Sequence, residues 1–209
     1  MKIDPVSINL QGSTEEERLQ IKPAPSTSAE AAREADLITQ AVSGSANAFS
    51  ELFNFYYPMI HAFAYRLSLC PGEASDIAQD TFIQAARSLG GFRREASFKN
   101  WLYAIAANKS RDRHRSRVRQ ERVVREWSLL QSHDGDETGQ SGVAAVREAL
   151  AGLPLDMREA VTLIYYEGMN HADAARILGC AETTVSWRIF RAKQKLKKQL
   201  RPRAAGGRS

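Results

Sequence analysis

Phe49, Leu52, Phe53, Tyr56, Ile60, Phe63 and Leu67 recur at three- and four-residue steps, the spacing that lines up side chains on one face of an α-helix. Residues 36–69 are therefore expected to be helical, with this aromatic stripe as core rather than a cofactor box. Pro58 falls inside the run. Having no amide hydrogen, it should bend the helix or end its first half. Pro71 and Gly72 then punctuate the chain, and a second helix is expected over about 74–89. It would bury Ala78, Thr81, Phe82, Ala85 and Leu89. Its opposite side shows Asp76, Gln79, Asp80, Ile83 and Arg87. Acid, amide and an exposed isoleucine suit a protein-docking face, and equally an ordinary solvated one. Gly90 and Gly91 break this helix. A loop at 92–97 leads to a third helix near Phe98, with Phe98, Trp101, Leu102, Ile105 and Ala106 inward.

A second helical pattern begins at Val143. Val146, Leu150 and Leu153 form one side of a helix that Pro154 cannot continue. Asp156 can cap the next helix, whose core positions include Ala160, Val161, Leu163, Ile164 and Tyr165, and which Gly168 ends. Residues 170–200 then read as a short helix, a tight turn and a longer basic helix. The short helix carries Ala174, Ala175, Ile177 and Leu178. Gly179 follows, a residue free to take the left-handed conformation that closes a helix. Glu182, Thr183 and Thr184 supply acid and hydroxyls at the next helix start. Val185, Ile189, Ala192, Leu196 and Leu200 make its buried stripe, while Trp187, Arg191, Gln194 and Lys198 lie opposite. That is the layout of a helix-turn-helix with its recognition helix outward. A packed helix pair with a solvated basic face would show much of the same pattern.

Between the two patterns, residues 131–142 (QSHDGDETGQSG) contain no apolar side chain. They read as a flexible linker. The expected fold is thus all-α, with two small helical domains and the helix-turn-helix in the C-terminal one. The boundaries are a disordered extension at 1–35, a first domain at 36–125, a linker at 126–142, a second domain at 143–200 and a basic tail at 201–209.

Charge sharpens this picture. The 209-residue chain carries a formal net charge of +5, which suits a polyanionic partner. Beyond Asn108 the apolar pattern stops. Lys109, Arg111, Arg113, Arg115, Arg117, Arg119, Arg122 and Arg125 are opposed only by Asp112 and Glu121. Such a run suggests phosphate contact. No apolar stretch approaches the roughly 18 residues a membrane span needs, and the N-terminus has no secretory pattern. Cys70 and Cys180 stand alone, which fits reduced thiols in a cytoplasmic protein. His61, His114, His133 and His171 show no metal-ligand spacing, so neither a metal nor another cofactor is expected. No nucleotide loop, nucleophile elbow or catalytic carboxylate pair is present to support an enzyme.

Four segments carry a family resemblance: DIAQDTFIQAARSL (76–89), FRREASFKNWLYAIAANKSRDRHR (92–115), LPLDMREAVTLIYYEGMNHADAARILG (153–179) and TTVSWRIFRAKQKLK (183–197). Together they resemble the extracytoplasmic-function (ECF) sigma factors, the two-domain class of the sigma-70 family, over about 46–200. The D-x-x-Q-D-x-F and F-x-x-W-L-x-x-I-A-x-N helices make the resemblance specific; a helix-turn-helix alone would not.

The resemblance implies a promoter-specificity subunit, monomeric within the holoenzyme. Its partners would be core RNA polymerase, at the largest-subunit clamp and the flap, promoter DNA and an anti-sigma factor, with no membrane insertion. It implies docking on the clamp through Asp76, Gln79, Asp80 and Ile83. It implies capture of a flipped base of the melted minus-ten element by the 92–97 loop, including Phe92, Arg93, Arg94 and Ser97, where stacking and hydrogen bonds offset the unstacking cost. Asn108, Lys109, Arg111, Arg113 and Arg115 would hold the strand's phosphates. Thr183, Thr184, Trp187, Arg188 and Arg191 would meet the minus-thirty-five duplex, with Lys195 and Lys198 toward phosphate. Two features depart from the family pattern: the Ser186–Trp187 pair, and the high charge at 109–113. A free-standing helix-turn-helix regulator is the alternative, but it leaves the docking helix and the loop without purpose. A purely protein-binding adaptor leaves the arginine run without purpose.

Overall fold

The computed structural model describes residues 28–127 and 142–199. Residues 1–27, 128–141 and 200–209 lie outside the described residues, and with them most of the expected extension (1–35) and linker (126–142), the whole expected tail (201–209) and Leu200 of the expected C-terminal stripe, as do the side chains of Arg122, Arg125 and Val146. Among the described residues the chain is helical without strands, as an all-α fold requires.

Helix α1 spans Ser28–Val42, taking in residues ahead of the expected boundary at 36. Its sequence, SAEAAREADLITQAV, is rich in alanine, the best helix former. Ile38 and Ala41 are buried, and Tyr56 Oη donates to Glu34 Oε1 at 2.5 Å, which ties α1 to the next helix. Gly44, at φ 96°, turns the chain.

Helix α2 runs Ala46–Ser68 without interruption through Pro58. Pro58 therefore does not end the first half of the helix. Proline removes one intrahelical bond, but Tyr56, Met59, Ile60 and Phe63 are all buried across the site. At about 1.5–3 kcal/mol per large apolar side chain, that burial outweighs the lost bond. Ser45 caps the helix start by accepting from the Ala48 amide, and Leu69, left-handed at φ 59°, closes its end.

Helix α3 covers Pro71–Ser88 with proline in its first turn, where no amide hydrogen is required. Helix α4 covers Phe98–Trp127. Of the inward set expected there, Phe98, Leu102 and Ala106 are buried, while Trp101 and Ile105 are only partly so. Tyr103, which the pattern did not single out, is fully buried, edge-on to Phe63 with centroids 4.8 Å apart.

Helix α5 (Gly142–Ala151) leads to α6 (Leu155–Val161), which widens into a π-helical turn at Thr162–Tyr166. Asp156 does not cap α6: the cap position is Pro154, and Asp156 pairs instead with Arg188 at 3.3 Å. The wide turn shifts the register, so Tyr165, expected in the core, is exposed, and Thr162 is buried. Helices α7 (His171–Leu178) and α8 (Glu182–Gln199) complete the chain.

The α2–α4 layer and the α6–α8 layer pack against each other, and their buried residues form one continuous apolar cluster. No described helix is long and apolar enough to cross a membrane.

Candidate nucleic-acid interface

The helix-turn-helix forms as its residues require. Asn170 caps α7 by accepting from the Asp173 amide at 2.8 Å. Gly179 closes the helix at φ 64°, its amide bonded back to Ala175. Helix α8 starts two residues after Cys180, and Val185, Ile189 and Ala192 are buried beneath it. On its outer face Trp187 is 53% exposed, with the Arg191 guanidinium 5.7 Å from its ring centroid. Thr183, Lys195 and Lys198 are exposed, and Thr184 is half-buried. These side chains share a free surface able to enter a groove. Arg188 differs from them. Its side chain is 18% exposed, held by Asp156 and lying 3.9 Å from Cys180 Sγ, so it braces α8 against α6. Phe190, at 58% exposure, joins the outer face and was not foreseen; its position three residues after Trp187 was the available signal.

On α3, Gln79 and Ile83 are exposed, Ile83 at 50%. Asp76 and Asp80 are not free beside them. Arg113 of α4 donates to Asp76 at 2.8 Å and to Asp80 at 3.0 Å. Burial lowers the pKa of this guanidinium, but its bonds to Asp80 and Asp76 win and hold it above the ordinary arginine value. One turn on, Arg117 reaches Glu73 at 3.2 Å. The acid face of α3 and the basic run of α4 therefore interlock along one seam.

The 92–97 loop is shaped by aromatic packing. Phe92 lies 5.0 Å from Trp101 and 5.5 Å from Phe98. Its ring is thus part of a cluster instead of a free stacking platform. Ser97 caps α4, its Oγ accepting from the Asn100 amide. Arg94 takes the left-handed conformation at φ 59°, costly for a residue with a Cβ, and its guanidinium reaches Thr39 Oγ1 at 2.7 Å. Arg93 is exposed.

The basic run does not form a single comb. Asn108 accepts from Arg111 at 3.0 Å, and Arg115 pairs with Asp112 at 3.4 Å. Arg111 also leaves its own layer, with Nε 2.8 Å from Glu159 Oε1 and Nη2 3.0 Å from Oε2. Glu159 is 1% exposed. Burial pushes its carboxyl above the ordinary range, and Arg111 only partly pulls it back. A buried glutamate on α6 carried no sequence signal, because its partner lies 48 residues away. Among the described residues no cluster of histidine, cysteine, aspartate and glutamate is arranged to hold a metal.

Comparison with known proteins agrees with this geometry. The Sigma-70 region 2 family model matches residues 52–120 and the Sigma-70 region 4 model matches 144–196. The chain is 34% identical over 169 residues to the ECF RNA polymerase sigma factor SigM of Mycobacterium tuberculosis, covering 80% of this chain and 84% of that one. It is 32% identical to the RNA polymerase sigma-H factor of Pseudomonas aeruginosa, covering 79% and 93%. Among solved structures it is similar to the sigma factor RpoE of Bartonella quintana in complex with the anti-sigma factor NepR. That match has a TM-score of 0.60 and 30% identity over 73% of this chain and 96% of that one. CnrH in complex with the cytosolic domain of CnrY gives a TM-score of 0.60 and 29% identity over 80% and 97%. With a helix-turn-helix presenting Trp187 and Arg191, an arginine-rich α4 beside an acidic α3, and both regions matched in order, the chain belongs to the ECF RNA polymerase sigma factors of the sigma-70 family.

Proposed function

We propose that this sigma factor docks on core RNA polymerase with the outer face of α3, reads melted minus-ten DNA with the 92–97 loop and α4, and anchors on minus-thirty-five duplex with α8. The exposed face of α8 carries this reading: a tryptophan and an arginine stand together on a helix whose other side is core. Asp76, Gln79, Asp80 and Ile83 are the docking set, and Ile83 offers the apolar contact a protein partner would cover. Arg93, Arg94, Asn108, Lys109, Arg111, Arg113 and Arg115 serve the single strand, with Phe92 and Ser97 shaping the loop. Thr183, Thr184, Trp187, Arg191, Lys195 and Lys198 serve the duplex, with Arg188 fixing the angle of α8.

The working units are 36–125 and 143–200, with the first turns of α1, residues 28–35, added to the first. The protein acts in the cytoplasm, catalyses no reaction itself and needs no cofactor. The relatives solved with anti-sigma factors support an anti-sigma protein as a further partner. Transcription in vitro with bacterial core enzyme on a library of genomic fragments tests this: discrete promoter starts that depend on the protein are expected, and their absence on every fragment would refute it.

A further inference from the structure

The loop proposed to meet the single strand is held at both ends and at its crest. Phe92 is set among Phe98 and Trp101, and Ser97 caps α4. Between these anchors Arg94 stands at φ 59°, a region that a residue with a Cβ enters at a cost. The hold at the crest acts on this residue. Arg94 Nη2 donates to Thr39 Oγ1 of α1 at 2.7 Å. The single hydroxyl proton of Thr39 goes to the Ala35 carbonyl, also at 2.7 Å, which turns the oxygen to accept from the arginine. Helix α1 is itself fastened to what lies under the loop. Glu34 accepts from Tyr56, and the Tyr56 ring meets Phe98 edge-on with centroids 5.5 Å apart. Phe98 is in turn a ring on which Phe92 packs. One helix therefore supports both the root and the crest of the loop.

We infer that Thr39 is a positioning residue for base capture: through Arg94 it keeps the crest of the 92–97 loop in its left-handed turn, and Arg94 serves the strand through that shape while its guanidinium stays on α1. The inference rests on the role proposed above for the loop. Without the Thr39 hydroxyl the guanidinium loses its acceptor, and φ at residue 94 is free to relax to negative values. The peptide groups on either side of Arg94 then turn, and the loop no longer presents one fixed surface to a base. Glycine enters the left-handed region freely, so a glycine at 94 would hold the same turn without a tether. The cations of α4 that would meet phosphates lie on another element. Loss of the tether therefore weakens discrimination between bases and leaves the sequence-independent part of binding alone.

The test compares Thr39→Val, which keeps the side-chain shape, with Thr39→Ser, which keeps the hydroxyl, each in the parent and in an Arg94→Gly background. Thr39 is exposed, so neither change disturbs the core. The first readout needs no nucleic acid. Trypsin cleaves after Arg93 and Arg94, and cleavage of a transiently opened segment tracks its open population. Thr39→Val should speed cleavage in the loop about fivefold relative to cleavage elsewhere in the full chain, and Thr39→Ser should restore the parent rate. In the second readout, holoenzyme formed with bacterial core RNA polymerase selects from a randomised single-stranded DNA pool, with core enzyme alone as background. Thr39→Val should flatten the base preference at one position about fivefold, with total retention and its salt slope as in the parent; Thr39→Ser should recover the preference. In the Arg94→Gly background Thr39→Val should change neither readout. A Thr39→Val effect that persists undiminished there overturns the inference, because it would then act on α1 and not on the loop. Unchanged cleavage beside an intact base preference refutes the inference alone. A parent holoenzyme without any base preference refutes the loop's role in base capture, and this positioning role with it.

Discussion

Arg113 Nη2 lies 3.0 Å from Asp80 Oδ2, joining a residue proposed for DNA to a residue proposed for polymerase. Both side chains are partly exposed, Arg113 at 36% and Asp80 at 42%, so the pair contributes little stability, on the order of 1 kcal/mol or less. Its interest is positional. On the proposed reading, a partner that engages Asp80 would compete with Arg113 for it and leave that guanidinium held by Asp76 alone.

Asp80→Arg sets a cation against Arg113 and reverses the charge of the docking face. It should abolish co-purification with core RNA polymerase while lowering stability by no more than about 1 kcal/mol. Normal co-purification of this variant would remove Asp80 from the docking set.

Trp187→Ala tests the anchor. The side chain is 53% exposed, so folding stability should move by no more than about 0.5 kcal/mol. Affinity for the minus-thirty-five duplex should fall by about 1–3 kcal/mol, with relaxed preference at one or two base pairs. Selection from a randomised duplex pool measures both; an unaltered preference would place Trp187 outside the groove.

Gly179→Ala probes the turn between α7 and α8. Nothing lies within 4 Å of an added Cβ, so the cost is the left-handed backbone alone, about 1–2 kcal/mol. Chemical denaturation should show that loss. A neutral result would mean that the turn relaxes to a different conformation.

Tyr103→Phe keeps the ring against Phe63 and removes the hydroxyl that Glu167 accepts. A hydrogen bond to a charged group is worth about 1.5–3 kcal/mol, and denaturant midpoints should fall accordingly. The parent also has an alkaline signature. Burial first, then the charge of Glu167 and the bond to it, raise the Tyr103 pKa far above the ordinary tyrosine value; burial and Glu34 do the same for Tyr56. A pKa raised by folding gives stability that is fully present below the unfolded value of about 10 and is lost as pH climbs beyond it. Phenolate absorbance should therefore show these two tyrosines ionising only as the chain unfolds.

Arg111→Ala leaves Glu159 buried without its cation. Stranding a buried charge costs on the order of 3 kcal/mol, far more than loss of an exposed arginine. Thermal unfolding should separate this variant from Arg115→Ala, whose pair with Asp112 is 67% exposed on both sides and should change stability little.

The sequence by itself determined the all-α class, the inward stripe of α3, most of that of α2, the Val185, Ile189 and Ala192 stripe of α8, the glycine turn of the helix-turn-helix and the outward position of Trp187. Each depends on neighbours three or four residues apart, which periodicity records directly. Tertiary structure decided the rest. Pro58 stays within one helix as Phe98 and Tyr103 of α4 pack on Tyr56 and Phe63 to either side of it. Tyr165 turns outward because the chain widens into a π-helical turn. Most of all, the partners of the basic run were set in space. Arg113 faces α3, while Arg111 crosses to a glutamate 48 residues on. A linear reading counts cations as free to bind phosphate; only packing shows which carboxylates have already claimed them, because Coulomb attraction follows distance and burial and not chain separation.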